Sequence, residues 1–332
     1  MLDIEDFDAV FRGNSYSSEL VLEIERFKKI VGGKCFYERL LELLHIKYLA
    51  AGRRIYPPNS KDLLHELHKR IVSAPIALHY KHCLLFYLLK DLSPTFHDQN
   101  ELASTFAGKV HLEKKFWTFI EGLWALDHVQ FETAVGNLTH PSIIPTFPDE
   151  IMLVLLTRRN LESVPTADIL PLAYYNCTNP PLANAEVKTE FVRYMANRDV
   201  TETFYWIRAR PEHEHKQLLE LLVEQTLHKH AHNQDESEVY PREVRAIEFV
   251  GLPFSEEEER WVETFLTEGK GRNFSGAADT VTMRRIAMGR LADVTRDGMA
   301  KGKRIEGVNW DVLKDGVKRG LGPRQSEGRF TV

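Results

Sequence analysis

Cysteine is scarce: Cys35, Cys83 and Cys177 are the only thiols in 332 residues. An odd, widely spread set with no pair at metal-ligand spacing excludes a disulfide framework and a zinc-finger module. Such thiols are expected to be ordinary buried cysteines in a reducing compartment. Long apolar runs are also missing. The longest, Ile151 to Leu156 and Cys83 to Leu89, fall far short of the ~20 residues that span a bilayer. The first residues, Met1-Leu2-Asp3-Ile4-Glu5-Asp6, are acidic and lack the basic-then-apolar pattern of a signal peptide. A soluble, intracellular chain without a membrane span is expected. Convincing alternation of apolar and polar residues is almost absent as well, so strands are not excluded but none is assigned.

Catalytic signatures are equally thin. There is no HExxH pattern, and His65-Glu66-Leu67-His68 has a spacing that would scatter its histidines around a helix. Gly269-Lys270-Gly271-Arg272 offers glycines and cations without the strand before it or the GK[ST] after it that a phosphate loop needs. No Gly-x-Ser-x-Gly elbow occurs. Histidine is dense at His213, His215, His228, His230 and His232, and His228 and His232 could share one helix face. Solvated histidines near a helix end explain these without metal. The alternative is a helical metal-dependent enzyme using the 213–232 histidines. The run Glu256 to Glu259 reads as a solvated helix start that complements the dipole. The expectation is therefore a protein that is not an enzyme, with no cofactor, metal, catalytic residue or small-molecule substrate.

What the chain does have is helical periodicity. Hydrophobic residues are 43% and charged residues 27%, which is globular. Phe36, Leu40, Leu43 and Leu44 recur at steps of three and four, as do Ile76, Tyr80, Leu84, Tyr87 and Leu88, and then Phe116, Ile120, Leu123 and Trp124. Each set falls on one helical stripe. Further stripes run from Ile151 to Leu156, Ala167 to Tyr175, Val187 to Met195 and Leu218 to Leu222. Helix starts are expected near Pro75 and Pro94, because proline is tolerated in a first turn. Ser255-Glu256-Glu257-Glu258 has the form of a capping box. The predicted fold is all-α: an irregular solenoid or bundle of about a dozen helices, without TPR, HEAT or ankyrin periods.

Charge divides the chain. Residues 1–268 carry 29 basic and 41 acidic side chains, a net of −12, whereas 269–332 carry 14 and 7, a net of +7, with 11 of the 19 glycines. Three regions are expected: an acidic N-terminal segment 1–13, an α-helical domain 14–268, and a basic, partly ordered tail 269–332.

The segment Phe116 to Ser142 is the most informative. One helix is expected to end near Leu126, with Asp127 a candidate N-cap for the next. Phe131, Ala134, Val135 and Leu138 form its buried stripe, small Ala134 permits close approach, and Pro141 lies just past the end. Phe147-Pro148-Asp149 opens another helix. With its Trp124 to Asp127 helix end, its Phe131 to Val135 stripe, its Leu138 to Ser142 exit and its Ile151 to Leu156 helix, this stretch resembles the helical domain of the ELYS family. Weaker similarity covers roughly residues 35–265. The resemblance implies a non-catalytic nucleoporin that attaches to the Y-shaped outer-ring scaffold of the nuclear pore complex at the nuclear envelope. It also implies a role in pore assembly and in transport of protein and mRNA, with outer-ring Y-complex nucleoporins as partners. Animal members add AT-hook DNA-binding elements. The nearest fragment here, Gly322-Pro323-Arg324-Gln325, lacks their Arg-Gly-Arg-Pro core. A helical adaptor of another large assembly is the competing interaction reading.

Within the tail, Met283, Ile286 and Leu291 line one helical face with Arg284 and Arg285 largely elsewhere, and Trp310, Leu313, Val317 and Leu321 recur at i, i+3, i+7 and i+11. Interspersed glycines make either helix marginal alone, at about 1 kcal/mol each. These residues, with Lys318 and Arg319, are the candidate partner-binding set, Trp310 being the best anchor. A weak nucleic-acid or chromatin contact through the same cations is the rival reading.

Overall fold

The computed structural model describes residues 2–47, 49–50, 53–93, 102–157, 169–227, 242–290 and 293–294, together with 312, 315 and 319. These residues hold sixteen α-helices, one 3₁₀ turn and a pair of two-residue strands. The fold is all-α, as expected. The strands, β1 (Leu49–Ala50) and β2 (Arg53–Arg54), pair antiparallel. They are too short to announce themselves by alternation in the sequence. The chain forms two compact units, Met1–Val187 and Lys188–Val332.

The first unit contains α1 (Phe7–Phe11), α2 (Ser18–Ile30), α3 (Phe36–Leu43), α4 (Lys61–Ser73), α5 (Leu78–Asp91), α6 (Leu102–Lys109), α7 (Lys114–Asp127), α8 (Phe131–Leu138), α9 (Pro148–Thr157) and α10 (Leu170–Thr178). Helix α5 lies at its centre, buried on every side from His82 to Asp91. A helix enclosed all round must be apolar or have its polar groups satisfied, and α5 does both. It begins three residues after Pro75, with Ala77 as N-cap, because the chain remains extended through the proline. Pro94 lies outside the described residues. Helices α7 and α8 pack tightly at Gly122, where an added Cβ would lie 2.7 Å from Leu138 Cγ. Phe131, Ala134, Val135 and Leu138 are all buried, as the stripe predicts.

Asp127 is a correction. It does not cap α8, whose N-cap is Gln130 with no side-chain bond. Instead it closes α7, and its carboxylate accepts the Phe36 and Tyr37 N–H groups at 2.7 and 3.0 Å. It therefore caps α3 from a distant part of the chain.

α11 (Ala185–Ala196) contains the boundary between the units. The second unit continues with α12 (Val200–Arg208), α13 (Glu212–Leu227), α14 (Arg242–Gly251), α15 (Glu256–Thr267), a 3₁₀ turn (Lys270–Asn273) and α16 (Ala277–Ala287). Its core joins Phe204, Leu222, Phe249, Val262 and Leu266 to Ala277 and Val281, so ordered packing runs on past residue 268. The Ser255 box is present: Glu258 N–H donates to Ser255 Oγ at 3.2 Å, and Ser255 N–H donates to Glu258 Oε2 at 2.7 Å. The acidic run is not uniformly solvated, however. Glu258 is buried and pairs with Arg208, and Glu259 pairs with Arg284. No described helix is long and apolar enough to cross a membrane.

Candidate partner-docking site

A cluster of buried polar side chains lies in the first unit. There Asp91 Oδ2 accepts the Tyr16 and Tyr56 hydroxyls at 2.6 and 2.8 Å, and its Oδ1 accepts the Trp124 indole N–H at 2.8 Å. Asp127 adds the Tyr87 hydroxyl at 2.7 Å to its two backbone donors. Burial lifts both carboxyls to about 7, and these hydrogen bonds only partly oppose it. His128 stacks on Trp124 at 4.0 Å between ring centroids, and burial pushes it down to about 4. Burial likewise pushes Tyr16, Tyr37, Tyr56 and Tyr87 well up, so each stays a donor. Next to this network the buried Glu38 accepts from Lys28 at 2.7 Å. Every carboxylate here is committed to fixing helices in place, and the surroundings are packed side chains.

Cys35 and Cys83 are buried, but Cys177 is exposed, contrary to the expectation for all three. Of the histidines, the His213 side chain is 79% exposed, and His215 Nε2 lies 2.7 Å from the Arg210 carbonyl. His228, His230 and His232 lie outside the described residues. Among the described residues no three His, Cys, Asp or Glu side chains form a ligand cluster.

The predicted partner-binding residues divide sharply. Arg284 is 2% exposed. Its Nη1 donates to the carbonyls of Phe249, Val250 and Leu252 at 3.1, 2.8 and 2.7 Å, its Nε donates to Glu259 at 3.2 Å, and its guanidinium lies 4.0 Å above the Phe254 ring. It satisfies the open C-terminal carbonyls of α14, a role that suits a cation at that end of a helix dipole. Arg285 donates to Glu263, which also receives Arg290 at 3.1 Å. Neither Arg284 nor Arg285 is an outward-reaching contact. Leu291, Trp310, Leu313, Val317, Lys318 and Leu321 lie outside the described residues, and Arg319 is exposed.

Met283 and Ile286 are half-buried, and Met283 marks a feature that periodicity alone did not find. Between α14 and α16 runs an apolar groove of about 240 Å³, lined by Leu227, Ala246, Ile247, Val250, Thr280 and Met283. Ile247 is 74% exposed, and Val244 on the same helix is 48% exposed. The signal was present in α14 as a second apolar edge, Val244 and Ile247, off the Phe249 stripe. Glu243 and Asp279 stand on the groove's rim, and neither has an ion pair among the described residues. Arg242 donates to the Leu227 carbonyl at 3.1 Å and to that of Ser275. Its guanidinium crosses Gly276, whose φ of +86° gives α16 its entry turn. A second hollow of about 370 Å³ mixes Lys216, Arg260 and Lys270 with Glu220, Glu257 and Trp261. Its charges are of both signs. The smaller groove is the more uniformly apolar of the two, and its chemistry is that of protein docking.

Comparison with known proteins gives two findings. Residues 34–269 match the family described as ELYS, nuclear pore complex assembly. An uncharacterized protein of Schizosaccharomyces pombe, ely5, is 29% identical over 168 residues, covering 50% of this chain and 51% of the relative. The match therefore spans about half the length of that curated relative.

Proposed function

The chain belongs to the ELYS family of nuclear pore complex assembly, and we propose that it acts there as a non-catalytic adaptor attached to the outer-ring Y-complex scaffold. The family match over 34–269 carries this reading. The interior supports it, because the buried carboxylates are spent on helix ends and tyrosines. The surface supports it too, since an apolar groove with a nearly bare isoleucine suits a protein partner. Location at the nuclear pore, and participation in protein and mRNA transport, follow from the same proposal. A chromatin contact would have to use tail cations other than Arg284 and Arg285, which are engaged internally.

The test is imaging of the tagged chain together with affinity capture. A punctate nuclear rim with outer-ring subunits in the captured material supports the proposal. Diffuse signal, or capture of another assembly, overturns it. Ile247→Asp is expected to weaken capture without unfolding the chain, because the residue is exposed.

A further inference from the structure

We propose that the edge formed by the start of α5, the end of α6 and the start of α7 is a docking surface for an acidic protein segment that carries apolar residues between its carboxylates. It is built from first-unit residues alone and uses none of the groove's.

The charge of this edge is set by what the chain leaves out. Residues 1–268 carry a net of −12, yet no Asp or Glu occurs from 67 to 90 or from 102 to 112. Lys109 and Lys114 are exposed and form no ion pair among the described residues, and His111 is exposed between them. Glu113 is the only carboxylate from 102 to 120. It pairs with Lys115 at 2.7 Å, with the two side chains 64% and 47% exposed. So open a pair is worth little, and a carboxylate arriving from a partner can replace it.

The fold gives this charge an aromatic spine. His79 of α5 stacks on Phe116 of α7 at 4.8 Å between ring centroids. Tyr80 lies 4.1 Å from the same imidazole, and Lys115 Nζ is 4.9 Å from the centre of the Phe116 ring. Tyr80, His79, Phe116 and Lys115 thus form one continuous row across two helices. Tyr80 is 42% exposed, and Leu78 next to it is 50% exposed. His82 meets Phe106 edge-on at 6.2 Å and ties α6 to the same edge. Lys114 and Lys115 also open α7, where the helix dipole disfavours cations. The stability of α7 therefore does not explain them.

The mixture identifies the occupant. Leu78 and Tyr80 offer apolar anchors, and the lysines between and beside them offer charge for carboxylates. Phosphate backbones are gripped best by the planar fork of arginine. Arg70 of the adjoining α4 is held by Glu66 and by the Lys47 carbonyl. Lysine charge beside exposed aliphatic and aromatic surface matches an acidic, apolar-studded protein segment better than a nucleic acid.

Fluorescence anisotropy on the purified full chain tests this, with a fluorescein-labelled synthetic peptide in which Glu and Asp alternate with Leu and Phe. Saturable binding is expected. Tyr80→Ala, and Lys109→Glu combined with Lys114→Glu, should each weaken it about tenfold, the loss of one good contact. These side chains are exposed, so the fold should hold; circular dichroism checks each variant, and either one decides the outcome. A peptide with Ser in place of Leu and Phe should also bind about tenfold more weakly. Absence of saturable binding overturns the proposal. So does equal binding of the serine peptide, which would mean charge alone, and so does tighter binding of a thymidine oligonucleotide, which would make this a nucleic-acid contact. Binding that the folded variants retain overturns it as well. The isolated chain gives the readout, so a missing nuclear rim would sink the functional reading and leave this one standing.

Discussion

Asp127 accepts the Phe36 backbone N–H at 2.7 Å across 91 positions of sequence. One carboxylate thus ends one helix and opens another, and removing it leaves Phe36 N–H, Tyr37 N–H and the Tyr87 hydroxyl without an acceptor. Each buried orphan costs about 1–3 kcal/mol. Asp127→Ala is therefore expected to destabilise the first unit by roughly 3–5 kcal/mol. Asp127→Asn should rescue only part of this, because its amide can turn an acceptor toward one N–H but not both. Denaturant titration of the two variants checks the order; equal stability of Asp127→Ala and wild type would refute the cap.

Asp91 gives a pH dependence whose sign is fixed by its environment. Burial lifts its folded value to about 7, against hydrogen bonds from Tyr16, Tyr56 and Trp124, whereas an unfolded carboxyl titrates near ~4. Between those values the folded chain keeps a proton that the unfolded chain has released. Its contribution is greatest below ~4 and is lost as pH rises to about 7. Asp127 acts in the same sense. His128, pushed down to about 4 by burial, acts oppositely, because the unfolded imidazole takes up a proton first. The difference between wild type and Asp91→Asn isolates the carboxyl. The variant should gain on wild type by up to about 1.4 kcal/mol per pH unit between ~5 and ~7. A difference that stays flat with pH would count against this account.

Arg284→Ala strips α14 of its C-terminal donor and leaves Glu259 without that partner. A loss of roughly 3–5 kcal/mol is expected, as for other broken buried pairs. Arg284→Lys should recover little, since an ammonium cannot span three carbonyls and a carboxylate in one plane. Thermal unfolding decides it: near-wild-type melting of Arg284→Ala would return this residue to the outer surface.

Thiol labelling separates the cysteines. Cys177 is exposed, while Cys83 is buried and pushed up to about 12. Cys35 is raised first by burial and then by the neighbouring Asp127 and Glu38 charges. Because the thiolate is the reactive form, mass spectrometry after brief alkylation of native chain should find Cys177 modified and the other two intact. Rapid native labelling of Cys35 would contradict the packing around α3.

The parts legible in the sequence were those set by neighbours along the chain. Ser255 and Glu258 lie three apart, so their reciprocal cap could be read directly, and Phe131 to Leu138 announced a buried face by spacing alone. Asp127 and Arg284 were misplaced for one shared reason. Periodicity says which side of its own helix a residue occupies, but not which other helix ends there. The helical wheel correctly put Arg284 off the Met283 and Ile286 stripe; it could not show Glu259 and the end of α14 waiting on that side. The groove eluded the sequence for the same reason, since half of its lining comes from α14. Gly122, where α7 and α8 leave no room for a Cβ, carried no local signal beyond its size.

The ion pairs of this chain bear on where it can be cut. A recombinant fragment trimmed to the matched span, 34–269, would discard Tyr16 and leave Asp91 one donor short. It would also discard Lys28, the nearest cation to Glu38, which is 0% exposed and would keep Arg54 at 3.6 Å. At the other end it would remove α16 and with it Arg284. Such a fragment should express poorly or precipitate, whereas one beginning before Ile4 and ending after Val294 retains both sets of partners. Similarity borders and folding borders are different things here, and bench work on this protein should follow the second.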